Sequence, residues 1–453
     1  MSDPIFDLAI TGDILQPDHV VRTGVLLVEG EKIVRIADEK ELFQARRHYD
    51  ARGRLVLPGV IDSHVHSFSY PGEGFANATR AACAGGATTI IDMPVDAPKG
   101  IATPAALAGK ISLAETESHV DLALLASVKN ETLDQIPALA AAGACGFKLS
   151  LFDTEPDRFP RVHDGHLLEA FRLIGRTGLT AGVHAENDEI IKYLIAQALS
   201  AGRTHPRAHL ETRPEVTETE SVLKALEIAR AAGVRLHLHH LSCSRSVELA
   251  ALYQAEGGLV SLETCPHYLL FSAEDLDRLG ARLRINPPVR SRKESEALWR
   301  ALGQGRIDCV GSDHAPWPLE YKSRPSIFDN ASGTPGVETL LTVLFSEGVV
   351  KGRITVPVLS RVLSENPSRL FGLFPRKGVF LPGSDADVVI LNPEEKWTIA
   401  AGQLKTAVGW TPYEGLEVTG KVTTTIIRGR IVYHQGEILG EKGFGRFLRP
   451  SKP

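Results

Sequence analysis

Six side chains at five well-separated places could together do metal chemistry. They are His64 and His66 in GVIDSHVHSF, Lys148 in ACGFKLSLF, His184 in AGVHAEN, His240 in LHLHHLSC and Asp313 in DCVGSDHAP. Each follows a short run of apolar or small residues that reads as a buried strand, so each strand ends by delivering an imidazole, amine or carboxylate to the rim of a core. Imidazole nitrogen and carboxylate oxygen are ligands that divalent ions accept. His64 and His66, two residues apart on a strand, share a face and can reach one ion together. Asp62 could orient one of the two imidazoles from behind.

Lys148 is the most diagnostic of the six. A lysine closing an apolar strand is costly to bury as a cation. It either snorkels or pairs with an acid, or its neutral amine captures CO2 as a carbamate, an anion able to bridge two divalent ions. The HxH pair and the two later strand-end histidines favour the carbamate. His184 and His240, each taken alone, read as hydrogen-bonded core or rim histidines rather than ligands; the rest of the set is what points them to the metal. By strand alternation His240 shares a face with Leu238 and Leu236, whereas His237 and His239 point the other way and read as packing or supporting residues. Asp313 could cap a following helix. Within the set it reads instead as a metal ligand and the catalytic base that takes a proton from the nucleophile and passes it to a leaving nitrogen. Asn286 is a plausible partner for a substrate's imide edge or, equally, an Asn-Pro turn former.

Positioning five strand ends on one rim calls for a closed parallel sheet. Candidate strands fall at 59–61, 88–93, 121–127, 146–149, 180–184, 235–240, 258–263 and 308–312, with Ala/Leu/Glu-rich helical stretches such as 220–232 and 293–303 between them. Eight strands alternating with helices predict an α/β fold, a (β/α)8 TIM barrel whose site lies at the carboxyl ends of the strands. The expected ligands then close strands 1, 4, 5, 6 and 8. Residues 5–57 and the chain after 376 have short strands and Gly-containing turns, which predicts a small β-sandwich built from both chain ends. The expected domains are 1–57 (sandwich, first part), 58–375 (barrel) and 376–453 (sandwich, second part, and a C-terminal tail).

At 453 residues, 43% hydrophobic and 23% charged, the composition is that of a globular enzyme. A net charge of −5 gives no reason to expect nucleic acid or an anionic membrane as partner. The five cysteines show no CxxC pair and sit in apolar segments, so buried free thiols and a cytoplasmic location are expected. The N-terminal MSDPIFDLAI has an early acid and no long apolar stretch, and no segment approaches the roughly 20 apolar residues of a membrane span.

Taken in order, HxH, Lys, His, His and Asp at this spacing resemble the amidohydrolase superfamily, and more narrowly its cyclic amidohydrolases: allantoinase, hydantoinase or dihydropyrimidinase, and dihydroorotase. LPGVIDSHVH, GGATTIIDMP, GFK, HAEN, HHLS, ETCPHYL, NPPVR, GSDHAP and PGSDADVVIL carry the likeness over nearly the whole chain. The resemblance implies two zinc ions bridged by carbamylated Lys148, one held by His64, His66 and Asp313, the other by His184 and His240. It implies that a hydroxide shared by the ions opens the C–N amide bond of a small cyclic amide, and that the protein is a homodimer or homotetramer. The ring is expected to be an allantoin- or hydantoin-like ureide or imide. Alternatives are a dihydropyrimidinase- or dihydroorotase-type ring or another lactam, a superfamily deaminase, and remotely a catalytically silent scaffold. Three positions depart from the relatives' patterns. Phe68 stands where dihydroorotases have an arginine for the substrate carboxylate. Val95 replaces the asparagine of their DMPN, and Asp153 stands where hydantoinases have an oxyanion tyrosine. Phe68, Phe152 and Asp153 are therefore expected substrate-facing residues together with Asn286, and Phe68, Phe152 and Trp317 could form an apolar pocket.

Overall fold

A computed structural model of the chain describes residues 5–451. The middle of the chain is a closed barrel of parallel strands: Val60–Val65, Ala87–Asp92, Asp121–Leu124 continued by Ala126–Ser127, Phe147–Ser150, Thr180–His184, Arg235–Leu238, Val260–Thr264 and Cys309–Val310. Neighbours pair in sequence order, for example Lys148 with Gly182 and Gly182 with His237. The ring closes where the backbone N–H of His66 donates to the His314 carbonyl at 2.8 Å and Val65 bridges His314 in parallel. Strand residues alternate between two fates. Phe147, Leu149, Ala181, Val183, Leu236, Leu238 and Leu262 join the large apolar cluster between strands and helices, and the residues between them point into the barrel.

The helices start and stop where local chemistry dictates. The Asn187 side chain accepts from Ile190 N to open Asp188–Ser200, and Ser291 does the same through Glu294 N for Arg292–Gly303. Gly143, Gly178 and Gly233 end helices in the left-handed conformation that glycine adopts without strain.

Both chain ends build one eight-stranded sheet, in which Val388–Thr398 pairs antiparallel with His48–Pro58, through Val388 with Pro58 to Leu391 with Leu55. Its curl encloses Leu8, Ile10, Leu26, Val28, Val56, Val388, Ile390 and Ile426. The last residues run back to the barrel, where Leu448 N donates to the Leu122 carbonyl at 2.8 Å.

A buried ion cluster ties the sheet to the barrel. Lys377, fully buried, places Nζ 2.6 Å from Asp121, 2.6 Å from Asp387 and 3.0 Å from Asp385. Arg428 also pairs with Asp121. Removing one member leaves buried charge uncompensated, so Lys377→Met is expected to destabilise the protein by about 3–5 kcal/mol. Urea unfolding followed by circular dichroism checks this; a midpoint equal to wild type would contradict it.

Candidate metal centre

His64 is the last but one residue of the first barrel strand and is fully buried. Its Nδ1 lies 2.7 Å from Glu263 Oε1, at the end of the seventh strand. The Glu263 carboxylate also accepts from Ser63 Oγ at 2.6 Å and faces His239 Nδ1 at 3.1 Å. Burial pushes its pKa up, yet His64, His239 and His237 outweigh this and hold it well below the usual carboxylate range. An ionised carboxylate can only accept, so Nδ1 of His64 carries the proton and Nε2 turns a lone pair to the centre.

That lone pair meets others. The Nε2 atoms of His64 and His66 each lie 3.3 Å from Asp313 Oδ1, and Lys148 Nζ lies 3.2 Å from His64 Nε2. Burial pushes the His66 imidazole down to about 4, more than Asp313 pulls it up. Asp313 is itself raised by burial but, on balance, held low by His64 and His66. Two imidazole nitrogens and a carboxylate oxygen thus converge, a donor set suited to a divalent cation.

Opposite them, His184 Nδ1 lies 3.0 Å from His240 Nε2. Behind His184, Nε2 donates to Glu186 Oε2 at 2.9 Å, and Arg213 pairs with the same oxygen at 2.7 Å. This repeats the Glu263–His64 arrangement, with a buried carboxylate fixing which nitrogen is free. His240 Nδ1 is buried without a partner. The His64 and His240 rings, 5.2 Å apart between centroids, join the two halves. Lys148, 1% exposed, is near enough to depress both His66 and His240. Burial lowers its own pKa to about 8 against the pull of Glu263 and Asp313, which puts a substantial neutral amine fraction at physiological pH.

Two of the six residues sit on unusual backbone. His240 has φ +39° and Asp313 φ +46°, in the left-handed region that non-glycine residues avoid. Such conformations cost on the order of 1–3 kcal/mol and persist where the surroundings impose them. Two glycines make room for the histidines of the barrel interior. A Cβ on Gly182 would lie 2.2 Å from His239 Nε2, and one on Gly311 would lie 2.8 Å from His64 Cβ.

All six side chains are brought together. His66, Lys148, His184, His240 and Asp313 line a cavity of about 360 Å3, with His64 packed behind them. The residues expected to face substrate divide. Phe152, Asp153, Asn286 and Trp317 line the cavity, and Asn286 Oδ1 has no partner. Asp153 is committed to the protein, accepting from Arg161 N at 2.7 Å and pairing with Lys192 at 2.8 Å. Phe68 lies outside the lining: its ring stacks edge-on against Phe75 at 4.9 Å, with Lys110 Nζ 5.6 Å away.

Two details differ from the strand-alternation reading. Asp62 does not touch an imidazole; its Oδ1 accepts the backbone N–H groups of Ser312 at 2.9 Å and His64 at 3.2 Å, which helps close the barrel. His237 and His239 are the residues that point into the barrel, and the sixth strand stops at Leu238. His240 reaches the site only because its left-handed backbone turns it back. Glu263 and Glu186, which lie in the ETCPHYL and HAEN motifs, and three cavity arginines (Arg158, Arg213 and Arg284) have no role assigned from sequence. For Glu263 a signal existed, since it too is a polar residue closing a strand-like run, in VSLET.

The support from Glu263 is testable. Glu263→Gln keeps the shape and removes the charge that orients His64, and such changes behind a ligand cost roughly 10–100-fold in metal affinity. Zinc competition titration checks it; unchanged affinity would rule out the orienting role.

Comparison with known proteins gives the same picture. The amidohydrolase family profile matches residues 55–432. Allantoinase of Deinococcus radiodurans is 37% identical over 448 residues, 98% of this chain and 99% of that one. L-hydantoinase of Paenarthrobacter aurescens is 35% identical over 450 residues, 98% of each chain. Among solved structures, the L-hydantoinase from Arthrobacter aurescens superposes with a TM-score of 0.95 at 35% identity, over 98% of this chain and all of that one. A D-hydantoinase superposes at 0.91 with 31% identity, over 98% and 99% of the two chains. With its barrel, its converging imidazoles, amine and carboxylate, and a family match over most of its length, this chain belongs to the amidohydrolase family.

Proposed function

We propose that this chain hydrolyses the amide C–N bond of a cyclic ureide or imide of the allantoin or hydantoin type. One observation carries the reading: His64, His66 and Asp313, the His184–His240 pair and Lys148 meet at the floor of one cavity. The names of the relatives, allantoinase and L-hydantoinase, support the same substrate class.

In this reading His64, His66 and Asp313 would hold one divalent ion and His184 and His240 a second, and Lys148, as a carbamate, would supply a further anionic ligand; zinc is the first candidate. When bound, the ions supply Lewis acidity toward the ring carbonyl and make water acidic enough to act as a nucleophile near neutral pH. The protein residues do the rest. Asp313, ionised at neutral pH, takes the proton released as water adds to the carbonyl carbon. It returns that proton to the ring nitrogen as the C–N bond breaks, leaving a carboxylic acid and an opened chain. The Asn286 amide, with its oxygen free, meets the imide edge and sets the ring's orientation. Glu263 and Glu186 act through the imidazoles they hold.

The barrel, 58–375, contains every residue in this scheme. The sandwich, within 5–57 and 376–451 of the described residues, buttresses it through Lys377. Five buried free thiols fit a reducing cytoplasm, and the cyclic amidohydrolase likeness implies a homodimer or homotetramer, which light scattering measures directly. Purified protein, prepared without chelators, should carry stoichiometric zinc, manganese or cobalt and open allantoin, hydantoin, dihydrouracil or succinimide. Absence of stoichiometric metal together with no ring opening would reject the reading.

A further inference from the structure

Charge around the substrate cavity is matched almost everywhere. Beyond the metal ligands, Arg158 pairs with Glu155 at 3.4 Å, Arg213 with Glu186 at 2.7 Å and Asp153 with Lys192 at 2.8 Å. Arg284 is different. Among the described residues it has no carboxylate partner: its guanidinium donates to Ser332 Oγ at 2.9 Å, to the Phe328 carbonyl at 3.4 Å and to the Asn330 carbonyl. Its Nε is buried with no acceptor at all. Two residues on, in the same cavity wall, the Asn286 oxygen is also unpartnered.

A largely buried guanidinium held by neutral oxygens, with only the more distant Asp329 acting on it as an acid, has its desolvation cost offset in part. An acceptor oxygen from outside offsets more of it, and a charged donor makes that bond stronger than a neutral one. Of the aromatic pocket anticipated for a bulky apolar group, Phe152 and Trp317 line the cavity and Phe68 does not. The Phe152 face is covered by the Arg213 guanidinium at 4.5 Å, and Trp317 is tied to the Ser332 carbonyl at 3.0 Å.

We infer that Arg284 is a specificity residue that selects rings whose substituent carries an acceptor oxygen, a ureido carbonyl or a carboxylate, over rings with apolar substituents. The inference rests on the ring-opening reading above and narrows it. The guanidinium is pinned by the loop of residues 328–332, so its own side chain needs little ordering on binding.

The test compares kcat/KM for allantoin (ureido substituent), hydantoin-5-acetate (carboxylate) and 5-isobutylhydantoin (apolar), with unsubstituted hydantoin as reference. Wild type should open at least one acceptor-bearing ring about tenfold or more faster than the isobutyl ring, the scale of one charge-assisted hydrogen bond. Which of the two is favoured distinguishes the ureido from the carboxylate source. In Arg284→Met that ratio should fall by about tenfold, mostly through KM. Equal or greater efficiency on the isobutyl ring in wild type overturns the inference whatever the variant does, and so does an unchanged ratio in folded Arg284→Met. If hydantoin is opened without any preference, only the inference fails. If no ring is opened, the reading of the site fails, and calorimetry on metal-loaded wild type then decides. Tighter binding of hydantoin-5-acetate or allantoin than of 5-isobutylhydantoin retains the Arg284 assignment; its absence removes it.

Discussion

Lys148→Ala should lose both ring-opening activity and bound metal while keeping its fold. The amine lies 3.2 Å from His64 Nε2 and acts electrostatically on His66 and His240, so it stands between the two ligand groups. Alanine leaves those groups facing one another with no bridging anion. Activity should drop by roughly three orders of magnitude, the upper scale for losing an electrostatic group aimed at developing charge. Metal per chain, measured by mass spectrometry after dialysis, should fall in parallel. Lys148→Arg should fail equally, because a guanidinium keeps the positive charge and cannot form a carbamate. Full metal content in either variant would sink the bridging role.

The same lysine makes a pH prediction for metal-free protein. Only the neutral amine reacts with CO2, and burial places the pKa at about 8. Below that value the reactive fraction falls about tenfold per pH unit; above it the fraction saturates. At fixed dissolved CO2, the rate at which metal-free protein regains activity on adding zinc should therefore climb from pH 6 to 8 and then level off. A flat profile would mean that amine ionisation does not limit loading.

Asp313→Asn should be the second severe change, and of a different kind. The amide keeps the size of the side chain but can neither take a proton nor supply a full negative charge to an ion. A lost general base costs roughly 10²–10⁴-fold in kcat. Because the wild-type carboxylate is held below its ordinary range by His64 and His66, it is ionised throughout the neutral range. The loss should therefore be the same at pH 6 and pH 9. The His184–His240 pair makes no contact with Asp313 and should retain its ion, so the variant is expected to hold about one metal where wild type holds two. A kcat within tenfold of wild type would assign the proton transfer to another group.

Much of the architecture follows from local pattern. Runs such as TAGVH, RLHL and VSLET are short, apolar on alternate residues and spaced by helices, and they become the fifth, sixth and seventh strands of a closed parallel sheet. The two β-rich ends meet in one sheet because neither end alone can cover its apolar face. Alternation failed at the sixth strand. It assigns His240 to the side of Leu236 and Leu238, but the strand ends at Leu238 and the backbone of His240 is left-handed. Nothing in LHLHHLSC announces that turn, since glycine, the usual marker of positive φ, is absent. Phe68 shows the opposite failure. It lies two residues from His66, yet proximity in sequence does not set direction, and its ring goes into the apolar contact with Phe75.

By itself, the sequence determined which apolar runs become barrel strands and which polar residues lie at or just past their carboxyl ends, because these are local properties of a few neighbouring residues. That was enough for the barrel and for the six residues of the candidate metal centre. Tertiary structure alone decided how those residues are held and what surrounds them. Glu263 fixes His64 from 199 positions away, Gly182 clears space for His239, and Arg284 stands in the cavity wall bonded to neutral oxygens. These are pairings between distant segments, set by barrel closure and loop packing, and no local pattern encodes them.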